Sequence, residues 1–342
     1  MEHRETVNRH RDELKALAIL WVVYFHSPLA LPGGWDLVRQ MGYGGVDLFF
    51  FLMGMGLYQS LKRNGDLRAY ASRRLWRILP AYLPVLLVWM AVMYPGYGLS
   101  TVQAIRGVAG NLTMTGYWLD TPKVFNWFAN GQFLFILLAP LCFAVLTCSA
   151  RRGRALLLLL ALAGVVGLAN IGLNQMMGAS RLPVFLLGMA FAMDWPPVRK
   201  PGVVRAAYGA AFLLGLTVLV LCLTRYRELL NDYGLYWYPF ALMTPGLCVG
   251  IAWLLDKAKR AASLLTPLRW IGRSSFEIYL LNIWSVELAK QAGLTDPGLW
   301  ALLCVGDVLL GIAYHWLVAR GTAALQQAVA ARAAAREGTP CA

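Results

Sequence analysis

The feature that most constrains this chain is the recurrence of long apolar stretches along it. Roughly 20 helical residues cross the hydrocarbon core of a bilayer, and about ten stretches of that kind occur, near 13–30, 43–61, 76–96, 127–149, 155–172, 182–194, 204–224, 236–255, 275–290 and 298–318. Lipid offers no partner to backbone polar groups, so such stretches fold as helices. The expected fold is therefore all-α: one polytopic integral membrane domain over residues 1–342. Two stretches fit least well, 182–194 because it is short and 275–290 because it is polar for a span. Composition agrees, with 59% hydrophobic and 14% charged residues against roughly a quarter charged in soluble domains. A net charge of +14 is also found in nucleic-acid binders. The basic residues punctuate apolar runs instead of coating a polar surface, which excludes nucleic acid and leaves membrane lipid.

Charge also orients the chain, since cytoplasmic loops carry the excess of Lys and Arg. Ten crossings put both termini on one side. If that side is cytoplasmic, 24 of the 31 basic residues fall inside, clustered at the N-terminus, 62–77, 151–154, 199–205, 257–273 and the tail. The other 7 are Arg39, Arg106, Lys123, Arg181, Arg225, Arg227 and Lys290. The expected arrangement is N-in and C-in, in a cell membrane of the bacterial inner-membrane type. The first apolar run lacks a small-residue cleavage site, so it reads as a retained anchor. The segment 97–126 has enough apolar positions (Val102, Ile105, Val108, Leu112) for an amphipathic helix along the outer interface. Five of the six cysteines lie in apolar runs, which argues against a disulfide framework, and the four scattered histidines argue against a metal site.

Within spans the informative residues are ionisable, because each is costly there and faces a cavity or a partner. They are His26, Asp47, Glu277, Glu287, Asp307 and His315. Lys15 and His26 are eleven residues apart, about three helical turns, which puts them on one stripe about 16 Å apart along the axis. An imidazole at that depth fits proton transfer near neutral pH or a packing bond to a neighbouring helix. Asp47 follows Gly42, Gly44 and Gly45, and serves either as a partner that orients His26 or as a cap in a glycine-packed helix start. Arg73, Arg74 and Arg77 cluster if the helix has begun there. They fit either a phosphate grip or a topology signal over anionic headgroups. Glu277 is four residues from Arg273 and reads as its ion-pair partner. Asp307 and His315 read as partnered packing residues, Glu287 as a solvated interfacial carboxylate, and the run 233–240 as an aromatic belt or a sugar-stacking surface.

Taken together, these residues resemble the integral membrane acyltransferase-3 family. Lys15 through His26 resembles its basic-x10-His signature, with Lys where Arg is usual. Gly45-Val46-Asp47-Leu48-Phe49-Phe50 resembles its glycine-aspartate-diphenylalanine block, and Arg74-Leu75-Trp76-Arg77 its Arg-x-x-Arg. Asn126-Trp127-Phe128 leading to Pro140-Leu141, Arg181-Leu182-Pro183-Val184-Phe185 to Gly188, and Ile271 to Leu280 are similar to three further blocks in the same order. Two positions depart from the pattern: Met53 stands where Ser is common, and Asn282 where a second histidine is frequent.

The resemblance implies a membrane O-acyltransferase, with acetyl as the expected group. Acyl-CoA would be a co-substrate and not a bound cofactor, and the acceptor a hydroxyl of a carbohydrate or lipid-linked envelope molecule. Lys15, Arg73, Arg74 and Arg77 would hold the donor phosphates. His26 would be general base or transient acyl carrier, oriented by Asp47. Asn282 or backbone N–H groups would meet the developing oxyanion, and Trp127, Arg181 and Asn282 would line the acceptor path or pore. Arg181 reads equally as an interfacial anchor. The competing class is a transporter or flippase of an anionic precursor, which the lack of an internal repeat disfavours.

Overall fold

Each of the ten apolar stretches is helical in the computed structural model, which describes residues 2–29, 31–195, 201–232, 238–258 and 262–337. Among these residues there is no strand. In order the helices are α1 (Glu2–Arg9), α2 (Arg11–His26), α3 (Trp35–Gln40), α4 (Gly44–Arg63), α5 (Leu67–Met93), α6 (Thr101–Leu112), α7 (Trp127–Cys148), α8 (Arg152–Ala169), α9 (Met176–Ala179), α10 (Leu182–Ala192), α11 (Pro201–Thr224), α12 (Arg227–Asp232), α13 (Tyr238–Lys257), α14 (Ala262–Arg273), α15 (Ser275–Gln291) and α16 (Pro297–Glu337). Among the described residues six helical stretches are long and apolar enough to cross a membrane: Leu67–Tyr97, Trp127–Cys148, Arg152–Ala169, Gly202–Thr224, Tyr238–Lys257 and Pro297–Val329. The chain is a multi-pass membrane protein.

Polarity sorts the helices into two shells. α8, α11 and α16 bury little of their apolar windows, and residues such as Leu158, 71% exposed, face outward. Lipid is the solvent that makes such a surface stable. The polar helices α2, α4 and α15 lie inside, α2 packing on α4 and α15, so their charged groups meet one another instead of lipid. Short α10 also belongs to this inner set, and its closest packing is against α4. There the glycines are reciprocal: a Cβ on Gly54 would overlap the Phe185 carbonyl, and one on Gly188 the Phe51 carbonyl. Gly45 likewise faces the Ala18 carbonyl of α2. The close-approach role expected of the α4 glycines is met.

Local signals explain where the elements depart from the expected boundaries. The 62–77 loop shrinks to 64–66, because Asp66 caps α5 by accepting from the Arg68 amide at 2.9 Å, which starts the helix nine residues early. Arg73, Arg74 and Arg77 therefore lie on a helix. The expected inner loop 257–273 contains α14, which packs on α2 through Arg269 to Glu13 (2.8 Å) and Arg273 to Asp12 (3.2 Å). The Ala-rich tail continues α16 well beyond the expected span, as its helix propensity favours. α6 begins with a capping box of Ser100 and Gln103 and turns Val102 and Ile105 outward, as an amphipathic interfacial helix should. No disulfide forms among the described cysteines.

Candidate active site

His26 closes α2 and is held from α15 and α16. Its Nδ1 lies 2.7 Å from Asn282 Oδ1, and Asn282 Nδ2 donates to Asp307 Oδ2 at 2.8 Å. Ser285 donates to the same oxygen at 2.7 Å. The direction of this relay follows from what each group can give. A carboxylate only accepts, so the Asn282 amide nitrogen faces Asp307 and its carbonyl oxygen faces the ring. That oxygen also only accepts, which assigns the proton to Nδ1 and leaves the lone pair on Nε2. Asn282 is 0% exposed and Asp307 is buried, so the bond between them is shielded from water.

A cavity of about 580 Å³ opens beside the same helices. Arg11, Lys15, Arg74, Arg77 and Arg273 line it, with Asp12 and Glu277 as its carboxylates. Asp12 serves Lys15 (2.6 Å) and Arg273. Among the described residues no carboxylate pairs with Arg11, Arg74 or Arg77, which leaves the cavity strongly cationic. Arg11 is fixed by donating to the Leu52 carbonyl at 2.7 Å, in room that a side chain at position 56 would take, and the Arg74 guanidinium lies 5.6 Å from the Tyr70 ring centroid. Arg73 does not join this cavity. It lines a neighbouring groove with Ser72, Trp76, Arg77 and Gln326, because it is one residue, about 100° of helix, from Arg74.

His26 is not among the residues lining the cavity. Between them stands an aromatic wall: Phe49 lines the cavity and packs on Phe128 (centroids 5.8 Å apart), Phe128 on Tyr279 (4.7 Å), and Tyr279 on His26 (6.3 Å). α2 thus joins the two regions, with Lys15 in one and His26 in the other.

An acyltransferase-domain profile matches residues 12–316. The chain belongs to the acyltransferase-3 family. It is 23% identical over 328 residues to the peptidoglycan O-acetyltransferase OatA of Listeria monocytogenes, a match covering 84% of this chain and 51% of that protein. It is 25% identical over 360 residues to YrhL of Bacillus subtilis, whose name assigns it the same activity provisionally, a match covering 90% of this chain and 53% of the relative. The chain spans about half the length of these curated relatives. No solved structure matches it.

Several expectations drawn from the acyltransferase-3 pattern change in the structure. Asp47 does not orient His26; its carboxylate lies 3.7 Å from Arg181 Nη2, both side chains 1% exposed. Asn282 orients the ring in its place, with Oδ1 at His26 and one of its two Nδ2 protons on Asp307. Arg181 is neither an interfacial anchor nor a group facing an acidic sugar. It is buried, donating to the Met177 carbonyl at 2.8 Å with its guanidinium 5.5 Å from the Trp127 ring centroid. Trp127 accordingly walls this buried pair. Glu277 pairs with His315 at 3.0 Å, not with Arg273, since Arg273 reaches back to α2. Asp307 and His315 have separate partners. Glu287 is not simply solvated: it accepts from Tyr97 at 2.8 Å and Trp89 at 3.2 Å. Of the aromatic run, positions 233–237 lie outside the described residues. No cluster of metal-ligating side chains occurs among the described residues.

Four residues that the structure brings into the site had no site role in the sequence reading: Arg11 and Arg273 in the cavity, and Asp307 and Ser285 in the relay. Arg11 was legible as a cation four residues before Lys15, on the same helical face. Asp307 was legible as an acid in an otherwise apolar span. That it serves Asn282 depends on how α15 meets α16, which no local pattern encodes.

Proposed function

We propose that this chain transfers an acyl group, acetyl in the first instance, from a coenzyme A thioester to a hydroxyl of a cell-envelope glycan. Family membership and the two peptidoglycan-directed relatives support the reaction class and suggest peptidoglycan as the first acceptor to test. The observation that carries the reading is the His26–Asn282–Asp307 relay, which leaves Nε2 as a base on the helix that also enters the cationic cavity. Arg11, Lys15, Arg74 and Arg77 would hold the donor's phosphates, with forked guanidinium contacts suited to phosphate oxygens. Arg73 would assist from the adjoining groove.

The chemistry then balances without a further reactant. His26 Nε2 takes the acceptor O–H proton as the oxygen attacks the thioester carbon. The carbon–sulfur bond breaks, and the thiolate leaves with the proton returned by the imidazolium, giving an ester and free coenzyme A. The Phe49–Phe128–Tyr279 wall must open for the thioester to reach the ring. In the membrane we infer ten crossings with the cationic cavity facing the cytoplasm, supported by the 24-to-7 division of basic residues.

Membranes containing the chain, incubated with radiolabelled acetyl-CoA and peptidoglycan fragments, test the reading. We expect His26→Ala to abolish label transfer with normal insertion, and Arg74→Ala/Arg77→Ala to raise the apparent KM for acetyl-CoA. Full transfer by His26→Ala would overturn the mechanism, and an unchanged KM in the double variant would return the arginines to a topological role.

A further inference from the structure

A second cavity, of about 560 Å³, lies between α1, α11 and α13 and shares no lining residue with the arginine-lined one. Its volume is in the range of small-molecule sites, and it takes no part in the proposed reaction. Its long walls are apolar, from Tyr208, Phe212, Leu247, Ile251 and Leu254, and its polar end is formed by His3, Thr6, Arg205 and Asp256. The two helices touch where Gly246 meets the Tyr208 carbonyl. Beside that contact the groove stays open: among the described residues nothing lies within 4 Å of where a Cβ on Gly209 or Gly250 would stand.

Both walls belong to helices long and apolar enough to cross a membrane, most of whose apolar-window residues are not buried in the protein, so the groove borders lipid. Its depth is marked by Trp253, 52% exposed, with the Lys257 Nζ 3.9 Å from its ring centroid. Trp and Lys side by side at a span end mark the headgroup level. At that level Asp256 already serves Arg9 at 2.6 Å. Arg205 is exposed and has no carboxylate partner among the described residues. An apolar slot running inward from an uncommitted guanidinium at headgroup depth has the polarity of a phospholipid with an acidic head.

We propose that this groove binds one anionic phospholipid, with its phosphate on Arg205 and an acyl chain laid along Gly209 and Gly250. The bound lipid ties α1 to the α11–α13 pair. The proposal does not depend on the acyl-transfer reading.

The test uses the full chain reconstituted in vesicles of equal phosphatidylglycerol and phosphatidylcholine, extracted in mild detergent and weighed by native mass spectrometry. The wild type should retain one phosphatidylglycerol in about tenfold preference to phosphatidylcholine, because both offer a phosphate but the choline head also brings a like charge to Arg205. Arg205→Glu should erase the preference. Gly250→Leu should lower retention of either lipid by filling the slot, and it raises helix propensity, so folding is not at issue. No retained lipid in the wild type, equal retention of the two lipids, or unchanged retention in both variants overturns the proposal.

Discussion

Two buried acids distinguish orienting a base from neutralising a charge. Asp307 reaches His26, the proposed base, only through Asn282. Asp307→Asn would let the amide of Asn282 turn either way and the ring take either tautomer. Transfer should fall by about 100-fold or more, in keeping with the weight of general-base catalysis, at unchanged KM for the donor; initial-rate kinetics checks both. Asp47 has the opposite profile. Asp47→Asn leaves the Arg181 guanidinium buried without its carboxylate, and breaking such a pair costs about 3–5 kcal/mol. The variant should lose thermal stability strongly in detergent, while the surviving folded fraction keeps a His26 relay that Asp47 does not touch. His26, Lys15 and the arginines were legible as residue types in an apolar context, whereas the partner of each was not. Asp47 and His26 approach the same depth along the chain, and only the packing of α15 between α2 and α16 decides that an amide takes the ring.

Helices were legible because lipid leaves a span no alternative, and all ten apolar stretches are helical. Boundaries were set by capping, as at Asp66, and by Ala-rich continuation, as in α16. Which helices form the inner shell was partly written in polarity. α14 is less legible, because its basic residues give its amphipathic pattern the look of a charged loop. The α4–α10 crossing is where element packing can be tested most directly. Backbone carbonyls occupy the space beside Gly54 and Gly188, so Gly188→Val has no flexible side chain to displace and must separate the helices. Overpacking of this kind costs about 1–3 kcal/mol or more. The variant should show lower folded yield by size-exclusion chromatography, whereas Gly153→Ala on α8, facing open space, should behave as the wild type.

For the whole molecule, α1 is fastened to the bundle by a charge cluster on Asp194, which Arg4 (2.8 Å) and Lys62 both engage. These bonds hold the Asp194 carboxyl down at about 2. A depressed carboxylate contributes its stability above the ordinary value near 3.9 and loses it as pH falls through about 2. The melting-temperature gap between wild type and Asp194→Asn should thus persist above about pH 4, close towards pH 2, and narrow in high salt because the group is exposed. α2 carries Lys15 of the arginine-lined cavity at one end and His26, the proposed base, at the other. A helix does not stretch, so α2 is a ruler about 16 Å long between those two points. A donor such as acetyl phosphate, whose phosphorus is two bonds from its carbonyl carbon, can be gripped at one mark or react at the other, but not both. Acetyl phosphate should therefore neither replace acetyl-CoA as donor nor be improved by concentration, and selection among activated acyl groups would rest on reach before chemistry.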